Sequence, residues 1–292
     1  MALLKGILSV TLLTVNTVVV CIPLVIFGPI RFFGPQSAKD YFNRMLDHWV
    51  IDGWVGTNRL IFKALRLTKV HITWEGAEDV SREQWYMVIS NHQSWTDIVL
   101  LQTNLINHLP PIKFFTKRQL LWIPFLGQAM WMLGFPYVRR MSKAQIAKNP
   151  KLVRSDREAT QDACQGFRNH PTTVLNFLEG TRFTAAKHAR QKARFEHLLN
   201  PKIGGLSYVM SGLNDHLHKL VDITISYPHG TPTFWEFMKG LCPEVEMLVQ
   251  CRTIPGEARV ENDSEQRKVL APWIESIWHE KDERLTTPEA AA

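Results

Sequence analysis

The sequence predicts a mixed α/β fold, in which helices flank a sheet, with a membrane-anchoring helical segment at the N-terminus. Short apolar runs alternate with helical patterns after residue 68, and such alternation is typical of α/β domains. A long apolar run precedes them. The chain has 292 residues, of which 45% are hydrophobic and 21% charged, so it is long enough for one globular domain plus an appendage.

The N-terminal apolar run covers residues 7–27 and contains no charged residue. About 20 such residues suffice to cross a bilayer core as a helix. A cleaved signal peptide is the alternative, but no small-x-small cleavage site follows the run, which favours an uncleaved anchor. Arg31, Lys39 and Arg44 follow the run, whereas Lys5 and the amino terminus precede it. The positive-inside rule therefore predicts that the main domain faces the cytoplasm, and we expect the protein in the inner (cytoplasmic) membrane.

A second helical stretch, residues 38–67, mixes apolar residues with charges that argue against a second membrane span. Two interpretations remain open: a helix lying in the headgroup region of a bilayer, or a helix packed on the core of the domain. The predicted organisation is an N-terminal membrane anchor over residues 1–67 and a globular domain over residues 68–292.

The remaining elements follow from apolar periodicity. Strands are predicted at residues 70–75, 85–90, 113–116, 134–138, 172–177, 221–227 and 244–252, and helices at residues 96–102, 120–131, 156–169 and 234–238. The basic stretch 143–157, which contains Pro150, is predicted to be a surface excursion. Apolar residues at helical spacing between 269 and 278 predict a closing helix.

Charge and cysteine usage narrow the class of partner and the compartment. The chain has 34 Lys and Arg against 27 Asp and Glu, a net charge of +7. Natural partners are therefore expected to be anionic: nucleic acid, an acidic membrane surface or phosphorylated small molecules. The four cysteines are scattered and form no CxxC pair, which indicates a reduced compartment and no structural zinc.

The first chemical signal is NHQSWTD, residues 91–97, between a predicted strand and a predicted helix. On one regular helix His92 and Asp97 would point about 140° apart, so they can meet only if His92 precedes the helix. Asp97 could then fix the tautomer of His92 and leave its other nitrogen free to take a proton from a substrate hydroxyl. The alternative is a helix cap, in which Ser94 or Thr96 caps the helix and His92 is an ordinary surface histidine.

The second signal is FLEGTRF, residues 177–183, which follows another apolar strand. Gly180 permits a tight turn, and Arg182 suits a bidentate contact with phosphate. The alternative is an internal ion pair between Glu179 and Arg182. Basic residues beside other predicted strands, Lys113 and the pair Arg139–Arg140, are either solvated surface charge or part of a phosphate site at the same edge of the sheet.

Together these segments resemble the glycerolipid acyltransferases of the PlsC type. Residues 91–97 are similar to the NHxxxxD block of that family, residues 134–139 to its Gly-x-x-x-x-Arg block, residues 177–182 to its FxEGTR block, and residues 221–228 to its late apolar-proline block. The order and spacing are those of the family, and the resemblance covers residues 68–255. One departure is Pro136 with the doubled arginine, which leaves open whether Arg139 or Arg140 faces the site.

The resemblance implies an acyltransferase catalytic domain in which His92 is the general base and Asp97 orients it. It implies that a lysolipid hydroxyl, that of lysophosphatidic acid, attacks a thioester of acyl-CoA or acyl-carrier protein to give phosphatidic acid, with membrane lipids as surroundings and no cofactor. The implied substrate-binding residues share blocks of the family or lie beside them. They are Asn91, Lys113, Arg139, Glu179, Gly180, Thr181 and Arg182.

Several other functions lack support in the sequence. No GxSxG or SxxK motif indicates a covalent nucleophile, so direct transfer is favoured, and no glycine loop indicates nucleotide chemistry. Nothing marks a metal site, and no groove-reading motif indicates nucleic-acid binding. Two alternatives stay open: acylation of another lysophospholipid or of glycerol 3-phosphate, and a non-catalytic adaptor that binds membrane lipids.

Overall fold

The computed structural model describes residues 1–138, 151–213, 215–260 and 262–286. Its strands are β1 (Lys69–Glu75), β2 (Trp85–Ser90), β3 (Ile112–Phe114), β4 (Thr116–Lys117), β5 (Tyr137–Val138), β6 (Thr173–Phe177), β7 (Leu217–Ser226) and β8 (Glu244–Arg252). Its α-helices are α1 (Ala2–Phe33), α2 (Gln36–Leu46), α3 (Gly53–Ala64), α4 (Thr96–Leu105), α5 (Leu126–Met132), α6 (Lys151–Phe167), α7 (Ala185–Gln191), α8 (Gly204–Leu213), α9 (Phe234–Met238) and α10 (Asp263–Thr286). A π-helix (Asp47–Asp52) joins α2 to α3, and 3-10 helices lie at Arg118–Trp122 and Gly256–Ala258.

A six-stranded sheet in the order β1-β8-β7-β2-β6-β3 forms the centre, and β4 pairs with β5 in a small second sheet. All neighbours in the large sheet are parallel except β7 and β8. The predicted mixed α/β fold with an N-terminal apolar helix is confirmed. Because β2 lies between β6 and β7 and runs parallel to both, the chain leaves all three strands at the same edge of the sheet.

The sheet is covered on both faces because side chains of its strands alternate in direction. Tyr86 and Val88 of β2 pack in one apolar cluster with α3, α4 and α9. Met87 and Ile89 pack in a second cluster with α8 and α10, which contributes the buried Trp278. The continuous apolar sequence of β2 is therefore explained by burial on both sides.

The structure differs from the predicted elements in several places. The predicted helix 120–131 is a 3-10 helix followed by α5, because Pro124 lies between them and Phe125 has φ 64°, a conformation that ends a right-handed helix. In the predicted excursion 143–157, residues 151–157 begin α6 directly after Pro150, a residue tolerated at a helix start. The rest of that excursion lies outside the described residues. Helices α7 and α8 were not predicted.

Helix α1 packs one face on the domain along much of its length. Two polar residues of the apolar run lie on that face: Asn16 donates to the Trp54 carbonyl at 3.0 Å and to Asn58 Oδ1 at 2.8 Å, and Trp54 Nε1 donates to Thr17 Oγ1 at 2.9 Å. The opposite face is an apolar stripe exposed outside the domain. It consists of Leu4, Ile7, Leu8, Val15, Val18, Val19, Ile22 and Ile26.

By length and composition, the part of α1 from Ala2 to Leu24 could cross a membrane, with a mean hydropathy of 2.2. In the stretch 38–67, Val55 and Phe62 of α3 are buried against the domain, as expected for a helix packed on its core. Trp49 and Leu60 of the same stretch are exposed. Strand β1 begins at Lys69, just after the boundary predicted between the anchor and the domain.

A buried ion pair joins the closing helix α10 to the sheet. Lys281 Nζ lies 2.7 Å from Asp222 Oδ1 on β7 and donates to the Ile223 carbonyl at 2.7 Å and to Thr224 Oγ1 at 2.9 Å. Both charged side chains are almost completely buried. Burial lowers the pKa of Lys281, although Asp222 opposes that shift. The pair therefore fixes α10 beneath the strands that carry the candidate site.

Candidate active site

The loop after β2 is fixed at its first residue. Asn91 is fully buried, its side-chain amide donates to the Ile225 carbonyl at 2.9 Å, and its Oδ1 accepts from the Ile225 amide at 2.9 Å. These two bonds attach the end of β2 to β7 as a backbone pair would. Asn91 therefore positions the loop through its side-chain oxygen and nitrogen, and its role in binding substrate stays a prediction.

His92 and Asp97 come together across the turn that starts α4. His92 Nδ1 lies 2.8 Å from Asp97 Oδ2. Helix α4 begins at Thr96 with Trp95 as its N-cap residue, so His92 precedes the helix as the five-residue spacing requires. Because an ionised carboxylate can only accept, Nδ1 carries the hydrogen and Nε2 has the lone pair.

The alternative reading as a helix cap describes only part of this geometry. The Ser94 hydroxyl accepts from the Thr96 amide at 3.3 Å and donates to the Pro232 carbonyl at 2.6 Å. Asp97 lies in the first turn of α4, where a carboxylate is favoured. His92, however, is not an ordinary surface residue, because it is only 8% exposed.

Asp97 accepts hydrogen bonds at both of its oxygens. Besides His92, Oδ2 accepts from the backbone amides of Gln93 at 2.7 Å and Ser94 at 2.9 Å. Tyr227, at the end of β7, donates its hydroxyl to Oδ1 and lies 2.9 Å from Thr96 Oγ1. Burial and the charge of Asp97 raise the pKa of Tyr227, so this hydroxyl stays a donor. The carboxylate is thereby held in one orientation.

The imidazole of His92 is held on one face as well as at its edge. It stacks on Phe177, the last residue of β6, with ring centroids 4.0 Å apart and planes inclined by 17°. The backbone carbonyl of His92 accepts a hydrogen bond from the Phe183 amide at 2.7 Å. Within the described residues Nε2 makes no hydrogen bond, so it is available to a substrate hydroxyl.

The buried side chain of Glu179 connects the EGTR segment to the loop that carries His92. Its side chain is buried, Oε1 accepts from the His92 amide at 2.7 Å, and Oε2 accepts from the Leu199 amide at 3.1 Å. Burial, opposed by these two bonds, raises the pKa of Glu179 to about 8. Glu179 thus bridges the loop after β2 and the segment after α7, and its role in binding substrate stays a prediction.

The rest of the EGTR segment turns toward the surface. Gly180 has φ 69°, a conformation that favours glycine. The Arg182 guanidinium lies over the ring of Trp95, 4.6 Å from its centroid. Among the described residues Arg182 has no carboxylate partner, so the predicted alternative of a Glu179–Arg182 ion pair is wrong. The reason is that Glu179 points into the core while Arg182 lies on the outer side of the turn.

A group of cations surrounds Thr181 and Arg182. Lys187 Nζ donates to Thr181 Oγ1 at 3.0 Å and to the Arg182 carbonyl at 2.7 Å. Partial burial and the neighbouring charges of Arg182, Lys117 and Arg190 lower the pKa of Lys187, because like charges disfavour its protonated form. We call Lys117, Arg182, Lys187 and Arg190 the basic cluster. Such a cluster attracts a phosphate group.

Lys113 and Arg139 are the other two basic residues that were predicted to bind substrate. Lys113 is buried on β3, donates to the Leu133 carbonyl at 2.8 Å and lies 4.9 Å from the centroid of the Phe167 ring. These contacts hold the Lys113 side chain between β3 and the helices α5 and α6, and its role in binding substrate stays a prediction. Arg139 lies outside the described residues.

The segment before α9 borders the site on the side of α1. Thr231 Oγ1 donates to Gln93 Oε1 at 2.9 Å, next to the bond from Ser94 to Pro232. Gly6 of α1 faces Trp235 and Lys239, because a Cβ atom there would come within 3.0 Å of both side chains. The N-terminal half of α1 therefore lies beside the segment that borders His92.

Sequence reasoning missed Tyr227, Trp95, Lys117 and Lys187 as parts of the site. Tyr227 belongs to the late apolar-proline block, and Lys187 follows the EGTR block closely, so their positions were weak signals. The partners of these residues depend on contacts between distant elements. Among the described residues, no group of three or more His, Cys, Asp and Glu side chains could hold a metal ion.

Comparison with known proteins decides the family. A family model described as Acyltransferase matches residues 71–227, more than half of the chain. The chain belongs to the acyltransferase family. The matched region contains the loop with His92 and Asp97, the EGTR segment, and Tyr227 at its end. The predicted resemblance to the PlsC type is confirmed.

Individual members of the acyltransferase family show the same relationship. The 1-acyl-sn-glycerol-3-phosphate acyltransferase alpha of Ovis aries is 30% identical over 179 residues, which cover 52% of this chain and 60% of the relative. The epsilon form of Mus musculus is 24% identical over 255 residues, which cover 78% of this chain and 64% of the relative. The chain thus spans less than two thirds of the length of these curated relatives.

A solved structure shares the fold. The crystal structure of the 1-acyl-sn-glycerophosphate (LPA) acyltransferase PlsC from Thermotoga maritima aligns over 99% of this chain and 100% of that chain, with a TM-score of 0.54 and 17% identity. At this identity the likeness establishes the arrangement of the helices and strands, including the N-terminal helices.

We expect Glu179 to make stability depend on pH. A folded-state pKa of about 8 lies above the ordinary value of 4.5, so between these values the folded protein keeps a proton that the unfolded chain has lost. Stability should fall as pH rises through this window, by up to about 1.4 kcal/mol per pH unit. Glu179→Gln has no proton to lose, so the stability of wild type relative to this variant should decline from pH 5 to pH 8.

Unfolding of the detergent-purified protein, followed across this pH range, measures the effect. The exposed Glu257→Gln is the matched control and should run parallel to wild type. The charges of Asp97 and Lys281 also act on Glu179, so only the difference between wild type and Glu179→Gln is diagnostic. Parallel curves for these two proteins would show that Glu179 does not titrate in this window.

Proposed function

We propose that this chain transfers a fatty acyl group from the thioester of acyl-CoA or acyl-carrier protein to the free hydroxyl of lysophosphatidic acid, giving phosphatidic acid. The observation that carries the proposal is the buried His92–Asp97 pair, 2.8 Å apart, within a domain of the acyltransferase family. The names of the relatives support lysophosphatidic acid as the acceptor.

In the proposed reaction His92 is the general base. Its Nε2 takes the hydroxyl proton while the hydroxyl oxygen attacks the thioester carbonyl carbon, because the hydroxyl pKa lies about nine units above that of imidazole and prior deprotonation is unfavourable. Asp97 stabilises the imidazolium that forms. As the carbon–sulfur bond breaks, the imidazolium returns the proton to the departing thiolate. The hydroxyl gains an ester bond, and the carrier leaves as a thiol.

The basic cluster is proposed to hold the phosphate of the acceptor. Arg182 extends from the turn that begins with Phe177, which stacks on His92, so phosphate bound there would stand close to the base. The guanidinium is planar and has several N–H donors, which suits phosphate. Trp95 supports the guanidinium from one face and leaves its edges open to the ligand.

The position of α1 is suited to bringing lipids from the bilayer to His92. The exposed apolar stripe of this helix begins beside α9 and the segment that borders His92, so acyl chains in a bilayer could approach the base laterally. We place the protein in the inner (cytoplasmic) membrane with the catalytic domain toward the cytoplasm, supported by Arg31, Lys39 and Arg44 after the apolar run. Both substrates bring their own reactive groups, so no cofactor is required.

The proposal predicts that the detergent-purified chain forms phosphatidic acid from labelled palmitoyl-CoA and lysophosphatidic acid. His92→Ala, with its fold verified by thermal melting, should lose activity by about 10²- to 10⁴-fold, the range typical of a general base. His229→Ala, an exposed histidine outside the site, is the control and should keep full activity. Palmitoyl-acyl-carrier protein and other lysolipids are tested in parallel.

Either of two results would contradict this proposal. A folded His92→Ala variant as active as wild type would remove the base from the mechanism. Absence of turnover with every donor and acceptor would favour the non-catalytic adaptor. Turnover with another lysolipid alone would keep the chemistry and change the acceptor.

Loss of Arg182 should affect the charged acceptor selectively. We expect Arg182→Ala to lower kcat/KM for lysophosphatidic acid by roughly 10- to 150-fold, the equivalent of a hydrogen bond to a charged group, with little change for monoacylglycerol, which lacks the phosphate. Trp95→Ala should raise the KM for lysophosphatidic acid about two- to fivefold by releasing the guanidinium, while Trp95→Phe retains a ring and should be milder. Equal losses with both acceptors would argue against a phosphate contact at Arg182.

A further inference from the structure

Four large apolar side chains are exposed on the segment that joins β4 to β5. Trp122 is 81% exposed, Phe125 54%, Trp131 50% and Ile123 39%. We call these four residues the aromatic patch. Exposed apolar side chains gathered on one short segment mark a contact surface more often than isolated ones do.

The backbone of the segment holds these side chains outward. Phe125 has φ 64°, which is uncommon for a bulky residue and requires support from the surroundings. That support comes from side chains that bind the backbone: Gln128 donates to the Leu121 carbonyl at 3.0 Å, and Tyr137 donates to the Gly127 carbonyl at 2.8 Å. The aromatic patch is therefore built into the fold and needs no rearrangement to meet a partner.

The aromatic patch lies beside the part of the domain that packs on α1. Behind it, Ala129 and Met130 of α5 are buried in one cluster with Cys21 and Leu24 of α1, and the Cys21 thiol lies 3.8 Å from the Phe125 carbonyl. Ile22 and Ile26, which follow Cys21 on α1, belong to its exposed apolar stripe. Both exposed apolar surfaces are therefore present at this level of α1.

The charges of the segment identify the partner. Residues 119–138 contain no Asp, Glu, Lys or Arg, and this stretch of 20 residues has the basic pairs Lys117–Arg118 and Arg139–Arg140 at its two ends. Tryptophan prefers the boundary between headgroups and acyl chains, and basic residues bind anionic headgroups. This pattern suits an anionic lipid surface better than a protein partner.

We propose that the aromatic patch inserts into the headgroup boundary of an anionic phospholipid bilayer and forms a lipid contact separate from α1. Trp122 and Trp131 lie at the boundary, and Phe125 and Ile123 reach the acyl chains. Lys117, two residues before this uncharged stretch, belongs to the basic cluster. The contact therefore sets the basic cluster at the level of the headgroups.

Depth-dependent fluorescence quenching tests the proposal without relying on enzyme activity. The full chain carrying Trp122→Cys is labelled with an environment-sensitive fluorophore and reconstituted in phosphatidylglycerol-containing vesicles whose acyl chains are brominated. Glu257→Cys, at an exposed position of a 3-10 helix, is the matched control, and unsubstituted protein corrects for labelling of the native thiols. We expect brominated chains to quench the label at 122 several times more strongly than the label at 257.

Two outcomes would overturn the proposal. Equal quenching at the two positions would place the aromatic patch outside the bilayer. A signal at 122 that depends on protein density and not on bromination would identify a second protein molecule as the occupant. Because neither readout requires turnover, failure here leaves the proposed acyl transfer untouched, and loss of acyl transfer would leave this contact untouched.

Discussion

The rest of the site depends on the hydrogen bonds that the Asp97 carboxylate accepts. It is buried, it accepts from His92, from two backbone amides and from Tyr227, and these donors come from the loop after β2 and from the end of β7. A carboxylate away from water must be compensated by several donors. The same bonds that make its burial tolerable fix the turn, the direction of α4 and the tautomer of His92.

The order of the strands makes this arrangement possible. Ser90 of β2 is in register with Phe177 of β6 and with Ile223 of β7, so the motifs that follow β2 and β6 emerge side by side although 80 residues separate them in the chain. Glu179 completes the connection by accepting from the amides of His92 and Leu199. A site assembled at the ends of parallel strands is rigid at its base and open toward the substrate.

The sequence predicted the elements that are determined by residues close together in the chain. The apolar runs of β2, β6 and β8 reflect burial, and the spacing of His92 and Asp97 requires His92 to precede α4. The fold class follows from the same alternation of strands and helices. Polar residues within the apolar run, such as Asn16, were visible as exceptions, but only the packed structure shows that they face Trp54 and Asn58.

Long-range contacts could not be predicted in the same way. Lys113 resembled a phosphate ligand because it is basic and lies beside a strand, yet the direction of its side chain on β3 buries it. Asn91 and Glu179 were predicted to bind substrate because they belong to blocks of the family, and the backbone groups to which they bind in the structure lie on distant segments of the chain. Trp95 lies in the NHQSWTD segment, but its contact with Arg182 depends on a second loop.

The most direct test of the account is the activity of Asp97→Asn, alone and combined with His92→Ala. An asparagine oxygen at the position of Oδ2 can still accept from His92, Gln93 and Ser94, and its amide can donate to Tyr227, so the fold should persist while the charge is lost. The account predicts a fall in kcat of about 10²- to 10⁴-fold and a double variant no slower than His92→Ala, because the two residues act as one unit. Wild-type kcat in folded Asp97→Asn, or losses that multiply in the double variant, would contradict it.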